Sequence, residues 1–177
     1  KAAVAASGIV VNNLIILGGG RCVWDDYAQV RHNMHDIMAI NDIGMHIPEP
    51  LSHWYSNDAA MLPKWAACRR YSGRGQLHTN NGAGVGVQEG IRVWDFVNGN
   101  SAINACLVGL SLGYKEIVMC GVPLDGSGWY FSPPWERSGY DNNYELDIWR
   151  KYRVEFAGRV KFISGLVKEL LNGANDY

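Results

Sequence analysis

The sequence predicts a single α/β domain over residues 1–177, built on a doubly wound, mostly parallel sheet, and three observations predict it. Short apolar runs such as Leu14-Ile15-Ile16-Leu17 read as strands buried on both faces. These runs alternate with stretches of helical periodicity, the pattern of βαβ units. A length of 177 residues suits one core, in which folding buries roughly 70 % of the unfolded chain's surface without needing disulfides or a metal.

The elements follow in order. Leu14 to Leu17 is the first strand, and Gly18-Gly19-Gly20 turns the chain. From Cys22 to Val30 the residues Val23, Tyr27 and Val30 recur at helical spacing, with Asp25 and Asp26 in the first turn where carboxylates suit the helix dipole. Asp36 to Ile40 is a second buried strand closed by the turn pair Asn41-Asp42, and Ser52 to Ser56 is a third. Ala59 to Arg70 has helical composition, with Pro63 tolerable only in its first turn. Gln76 to Thr79 and Ile91 to Val97 are weaker strands, and Asn81 to Gly86 between them reads as a mobile loop. Asn100-Ser101 caps a helix whose apolar stripe is Ile103, Cys106, Leu107 and Leu110, and Gly113 ends it. That helix leads into the strand Ile117 to Cys120, closed by Gly121. Asp125 to Asn143 is a long Gly, Ser, Pro and aromatic-rich loop, of the sort that compact domains keep for function. Leu146 to Phe156 makes a long amphipathic helix, Val160 to Ile163 a last strand and Leu166 to Leu171 a short terminal helix. The whole is Rossmann-like.

Composition narrows the function. A net charge of −1 with interspersed acids and bases offers no general attraction to a polyanion, so a nucleic acid is not the expected partner and a small ligand is. The opening Lys1 to Ala6 is too short to span a bilayer, no secretory pattern is visible, and a cytoplasmic location without membrane attachment is expected. Cys22, Cys68, Cys106 and Cys120 lie far apart and read as buried free thiols. Seven tryptophans and nine tyrosines exceed what the core needs and suit a pocket or an interface.

In a doubly wound sheet ligands bind outside the carboxyl ends of the strands. The residues there are Gly18, Gly19 and Gly20, whose N–H groups can face a phosphate at a helix N-terminus; Asn41 and Asn57, whose amides can bond ribose or a base edge; Asn100 and Ser101 at the second helix N-terminus; and Asp125. Asn-Asp pairs equally serve turns, and the glycine run lacks the third glycine of G-x-G-x-x-G. His53 and His78 read as structural residues within strands, and His32, His35 and His46 as surface. Asp141, Glu145 and Asp147 read as a solvated helix start. No His, Cys or carboxylate pair has metal-ligand spacing, so no metal and no obligatory cofactor are expected.

The run from Gly99 to Val122, with its Leu-Gly-Tyr-Lys-Glu-Ile core at residues 112–117, resembles the helix-strand signature of bacterial sialyltransferases that use CMP-sialic acid, and is similar to that of pterin-diphosphokinase-like proteins. Leu14 to Gly20, Ile40-Asn41 and Tyr55-Ser56-Asn57 resemble the sialyltransferase segments that hold the cytidine nucleotide. The resemblance implies a CMP-type nucleotide or nucleotide sugar as ligand, held by Gly18, Gly19, Gly20, Arg21, Asn41, Asn57, Asn100, Ser101 and Tyr130. It departs in two places. Gly19 and Arg21-Cys22 replace the family's Asn and Pro-Ser, leaving Arg21 to meet the phosphate. Tyr130, Tyr140 and Tyr144 stand for the phosphate-binding tyrosines, but no histidine follows His78, so the base falls to Asp125, or to His78 if its loop folds over the site. The Gly121 to Gly128 segment, the aromatic loop and the C-terminal region also resemble small proteins of phages and prophages. The expected function is a nucleotide-sugar binding domain, a small phage glycosyltransferase. The alternatives are an accessory or assembly protein that keeps the fold and meets a phage protein or its own copy through loop 129–144, and a pterin diphosphokinase.

Overall fold

The computed structural model describes residues 13–32, 35–80, 89–96, 99–137, 139 and 142–172. The opening segment, the loop Asn81 to Gly86, Tyr140 and Asp141 lie outside the described residues. Seven strands form one sheet: β1 Asn13–Leu17, β2 Asp36–Ile40, β3 His53–Tyr55, β4 Gln76–Asn80, β5 Ile91–Trp94, β6 Glu116–Cys120 and β7 Val160–Phe162. Among the described residues six α-helices accompany them: α1 Val23–Val30, α2 Leu62–Cys68, α3 Ser101–Ser111, α4 Asn142–Lys151, α5 Arg153–Phe156 and α6 Leu166–Asn172.

The sheet order is β5-β4-β3-β2-β1-β6-β7, and every neighbouring pair is parallel. The chain therefore builds outward from β1 to β5, then returns through α3 to lay β6 on the other side of β1. The strand order reverses between β1 and β6, the switch point at which such sheets leave a crevice. Alternation along each strand divides the core in two. Leu14, Ile16, Met38, Tyr55, Ile117 and Met119 pack with α3, α4, α5 and α6 on one face. Ile15, Leu17, Ile37, Ala39, Trp54 and Cys120 pack with α1 and α2 on the other. Gly109 lets α3 settle closely, since a Cβ there would lie 2.8 Å from both Ile117 Cδ1 and Leu14 Cδ2.

Four details depart from the expected elements. The turn after β2 is a 3₁₀ helix, Asn41–Met45, whose Gly44 sits under the Trp54 ring. Helix α2 begins at Leu62, not Ala59, with Pro63 in its first turn where a missing N–H costs nothing. The long helix ending at Phe156 breaks at Tyr152, whose φ of −95° and ψ of 1° leave helical geometry between α4 and α5. Cys106 and Cys120 are buried, Cys22 is half-buried and Cys68 is exposed, so Cys68 corrects the expectation of four buried thiols; all four are free.

Beyond α2, the buried Arg69 guanidinium donates to the carbonyls of Gly44, Ile47, Glu49 and Ser72 at 2.5, 2.8, 2.7 and 3.3 Å. It thereby ties the 41–51 segment to the end of α2.

Candidate functional site

A crevice of about 180 Å³ opens over the carboxyl ends of β1, β2 and β6. Its walls are the glycine loop after β1, Ile40 and Asn41 after β2, Gly99 to Ala102 at the start of α3, Gly121 to Trp129 after β6, and Glu145 from α4.

The glycine loop is fixed by its own neighbours. Gly18 N–H donates to Cys120 O at 2.8 Å and Gly20 N–H to Gly121 O at 2.7 Å, while Arg21 N–H donates to Gly128 O and Tyr130 N–H to Gly19 O. Two of the three glycine amides expected to face a phosphate are thus turned onto the chain itself, and Gly19 N–H remains without a protein acceptor among the described residues. A Cβ on Gly18 would come within 2.6 Å of Val122 Cγ2, and one on Gly20 within 2.5 Å of Pro123 Cδ. On Gly19 it would make an ordinary 3.6 Å contact with Trp129. None of the three has a left-handed φ. Glycine at 18 and 20 is therefore required by the close approach of the 121–123 backbone and not by turn conformation.

Asn41 lines the crevice in the left-handed region, φ 57°, which asparagine tolerates better than other side chains. Its Oδ1 accepts from Ser56 Oγ at 2.8 Å and its carbonyl from Trp54 Nε1 at 2.6 Å, which holds the conformation and leaves its Nδ2 donor without a partner among the described residues. Leu124 at φ 50° is the other left-handed non-glycine residue among those described, and it too lines the crevice. Backbone strain of this sort gathers at ligand sites.

Asn57 lies behind the wall. Its Oδ1 accepts from Tyr55 Oη at 2.7 Å and Asn104 Nδ2 at 3.0 Å, and its Nδ2 donates to Gly99 O at 2.8 Å, so it holds a lining residue in place without lining the crevice itself. Asn100 caps α3, its Oδ1 accepting the N–H groups of Ala102 and Ile103 at 2.9 and 3.0 Å. Because that oxygen is occupied by donors, the amide is oriented with Nδ2 toward the Glu145 carboxylate, to which it donates. Ser101 lines the crevice beside it.

Of the remaining residues expected at the site, Asp125 borders the crevice and the others lie outside its lining. The Arg21 guanidinium donates to the carbonyls of Pro133, Pro134 and Glu136 at 2.7, 2.6 and 3.0 Å, clamping the aromatic loop outside the crevice lining. Asp125 is exposed at the rim, and its Oδ1 accepts Ser127 N–H at 2.8 Å in a local turn. Tyr130 donates its hydroxyl to Asp42 at 3.1 Å and packs against Trp24, His46 and Phe131; burial and the Asp42 charge push its hydroxyl pKa up. Its neighbour Trp129 is the aromatic residue that reaches the crevice. Tyr144 is exposed on α4 and does not line it.

His78 corrects its catalytic assignment. It is fully buried in β4, Nδ1 3.0 Å from Trp94 Nε1 and Nε2 3.0 Å from His53 Nδ1. His53 Nε2 lies 2.9 Å from Tyr114 Oη, which donates to Asp36 Oδ2 at 2.5 Å. Indole nitrogen is only a donor, so His78 Nδ1 must accept, and each ring in turn passes one hydrogen bond along to the Asp36 carboxylate. Both imidazoles are neutral in this chain. Burial, the neighbouring His53 and the Arg92 charge push His78 down to about 3, and burial also lowers His53. His78 is a structural residue on the sheet face that carries Tyr55 and does not border the crevice.

Sequence reasoning missed three contributors. Glu145, read as solvated, lines the crevice, whereas Asp147 beside it is exposed and pairs with Arg150. Trp129 supplies an aromatic wall. Asp26, nearly fully buried, accepts Gly121 N–H at 3.0 Å and Ser164 Oγ at 2.8 Å, fixing the first residue of the 121–128 wall. Burial, with Asp26 beside it, pushes the Cys22 thiol up to about 12, which removes it as a nucleophile. The described lining holds two carboxylates and no Lys, Arg or His, so an anion there meets backbone and neutral amide donors. Among the described residues no group of three or more His, Cys, Asp or Glu could hold a metal ion, and no helix is long and apolar enough to cross a membrane.

No protein-family model matches the chain, and no curated protein matches it in sequence. Solved structures do match its fold. The monofunctional α-2,3-sialyltransferase Cst-I from Campylobacter jejuni superposes with a TM-score of 0.63 at 12 % identity, over 94 % of this chain and 81 % of that one. The sialyltransferase CstII from the same organism, in complex with the substrate analogue CMP-3FNeuAc, gives 0.62 at 15 % identity over 90 % and 85 %. CstII with a trisaccharide acceptor and CMP gives 0.58 at 15 % identity over 90 % and 84 %. The fold is that of these sialyltransferases.

Proposed function

We propose that this chain is a nucleotide-sugar-binding, glycosyltransferase-like domain that holds a CMP-type nucleotide in the crevice between β1 and β6. The observation that carries the proposal is the convergence of the glycine loop, Asn41 and the capped N-terminus of α3 on one crevice at the sheet's switch point. The fold shared with structures solved with CMP and CMP-3FNeuAc supports the choice of base. Asn41 Nδ2, Gly19 N–H and Ser101 are the donors for ribose and phosphate, and Trp129 offers a ring face to the sugar or base. Arg21 acts at one remove by anchoring residues 133–136, and Asn57 by holding Gly99.

A thermal-shift panel of CMP, UDP, GDP and ADP tests the reading. A ligand at one hundred times its Kd adds roughly 2.7 kcal/mol of stability. CMP should raise the melting temperature most, and a chain that none of the four shifts would refute the proposal.

The second reading, a phage accessory protein that uses the aromatic loop against a partner, is favoured by the exposure of Trp135 at 82 % and Phe131 at 64 %. A stable complex formed by a chain that binds none of these nucleotides, and lost on Trp135→Ala, would favour it.

A further inference from the structure

Resting on the nucleotide-sugar reading, we infer that Glu145 is the general base of glycosyl transfer in this crevice. Two carboxylates border it, and their settings differ. Asp125 is exposed on a glycine-flanked rim, where its Oδ1 serves a local turn with Ser127 N–H. Glu145 is half-buried in the first turn of α4, a helix anchored in the core by the buried Leu146 and Trp149. One Glu145 oxygen, Oε2, accepts from Asn100 Nδ2, and Asn100 is itself locked by the two α3 amides on its Oδ1. A neutral donor on a rigid wall therefore orients the carboxylate without neutralising it, and leaves Oε1 for a second proton donor. The geometry suits a base that must meet a hydroxyl beside a bound nucleotide.

The step balances without a further reactant. The acceptor hydroxyl gives its proton to the Glu145 carboxylate as its oxygen forms a bond to the anomeric carbon of the sugar. The bond from that carbon to the phosphate oxygen breaks, its electron pair leaving with the nucleotide monophosphate, and Glu145 returns the proton to solvent. With water as the acceptor the same step hydrolyses the donor.

The test uses the full chain and the variants E145Q, D125N and D147N, with CMP binding by calorimetry and CMP release from CMP-N-acetylneuraminic acid at neutral pH. E145Q keeps an oxygen for Asn100, so the fold should stand, and circular dichroism with thermal melting checks it. CMP affinity should not fall in E145Q or D125N, each of which removes a negative charge from the crevice, and should stay within threefold in D147N. E145Q should release CMP about 10²- to 10⁴-fold more slowly than the wild type. D125N should lose at least tenfold less than E145Q, and D147N, outside the crevice, should match the wild type. The assignment is overturned if E145Q turns over as the wild type does, if D125N carries the larger loss, or if the wild type binds CMP without releasing it from the donor. Failure of the wild type to bind CMP is a separate outcome that overturns the nucleotide reading as well.

Discussion

Lowering the pH from 7 to 5 should destabilise this protein through His78, and the variant His78→Gln should remove that part of the loss. In the unfolded chain His78 has the ordinary imidazole value of about 6.5, while in the fold burial, His53 and Arg92 hold it near 3. Protonation in the fold would set an N–H of His78 against the indole N–H of Trp94, 3.0 Å away. Because the folded value is depressed, the unfolded chain binds the proton first. The stabilising contribution is complete above about pH 6.5 and is lost as the pH falls toward 3. Between pH 7 and 5 the difference in proton uptake amounts to about 2 kcal/mol for His78 alone, and His53, shifted the same way, adds to it. A domain of this size then loses roughly 4–8 °C of melting temperature. Urea denaturation at pH 7 and pH 5 of the wild type and His78→Gln isolates the effect from carboxylates that titrate alike in both. Asp36 and Tyr114 stay in place in the variant, so the chain keeps its charged end. If the two proteins lose equal stability over this range, or if proton magnetic resonance shows the His78 ring titrating near 6.5 in the fold, the buried-chain account is wrong.

Other perturbations discriminate between the residues of the crevice and their supports. Gly20→Ala should cost about 1–3 kcal/mol, since its Cβ would stand 2.7 Å from the Gly121 carbonyl and the backbone must move. Gly19→Ala should instead be neutral or stabilising by up to about 1 kcal/mol, because its φ is not left-handed and its new contact is ordinary; chemical denaturation of the two variants side by side checks the contrast. Arg69→Met should cost about 3 kcal/mol by leaving four carbonyls without their buried donor, read as a lower urea midpoint. Its effect on CMP binding at temperatures where the variant remains folded should be small.

The sequence by itself determined the sheet core. Apolar runs of four or five residues can be buried on both faces only in a parallel sheet with helices on each side, and Leu14–Leu17, Asp36–Ile40 and Ile117–Cys120 all took that place. The helix from Ser101 was equally legible, because its cap and its apolar face are written within eleven residues. Asn41 and Ser101 could be assigned to one edge from topology alone, since the ends of parallel strands and the starts of their following helices share that edge. What only the tertiary structure decided was where side chains found their partners. Nothing within a few residues of Arg21 indicates that its charge serves carbonyls 112 to 115 positions away, and nothing near Glu145 indicates that Asn100, 45 positions earlier, turns it toward the crevice. His78 gave the same composition signal as a catalytic histidine or a buried one. The decision came from Trp94 and His53 on neighbouring strands, whose donors and acceptors leave room for only one proton arrangement. Local spacing sets which elements form, but a polar side chain's role depends on the hydrogen-bonding groups that folding brings within about 3 Å of it.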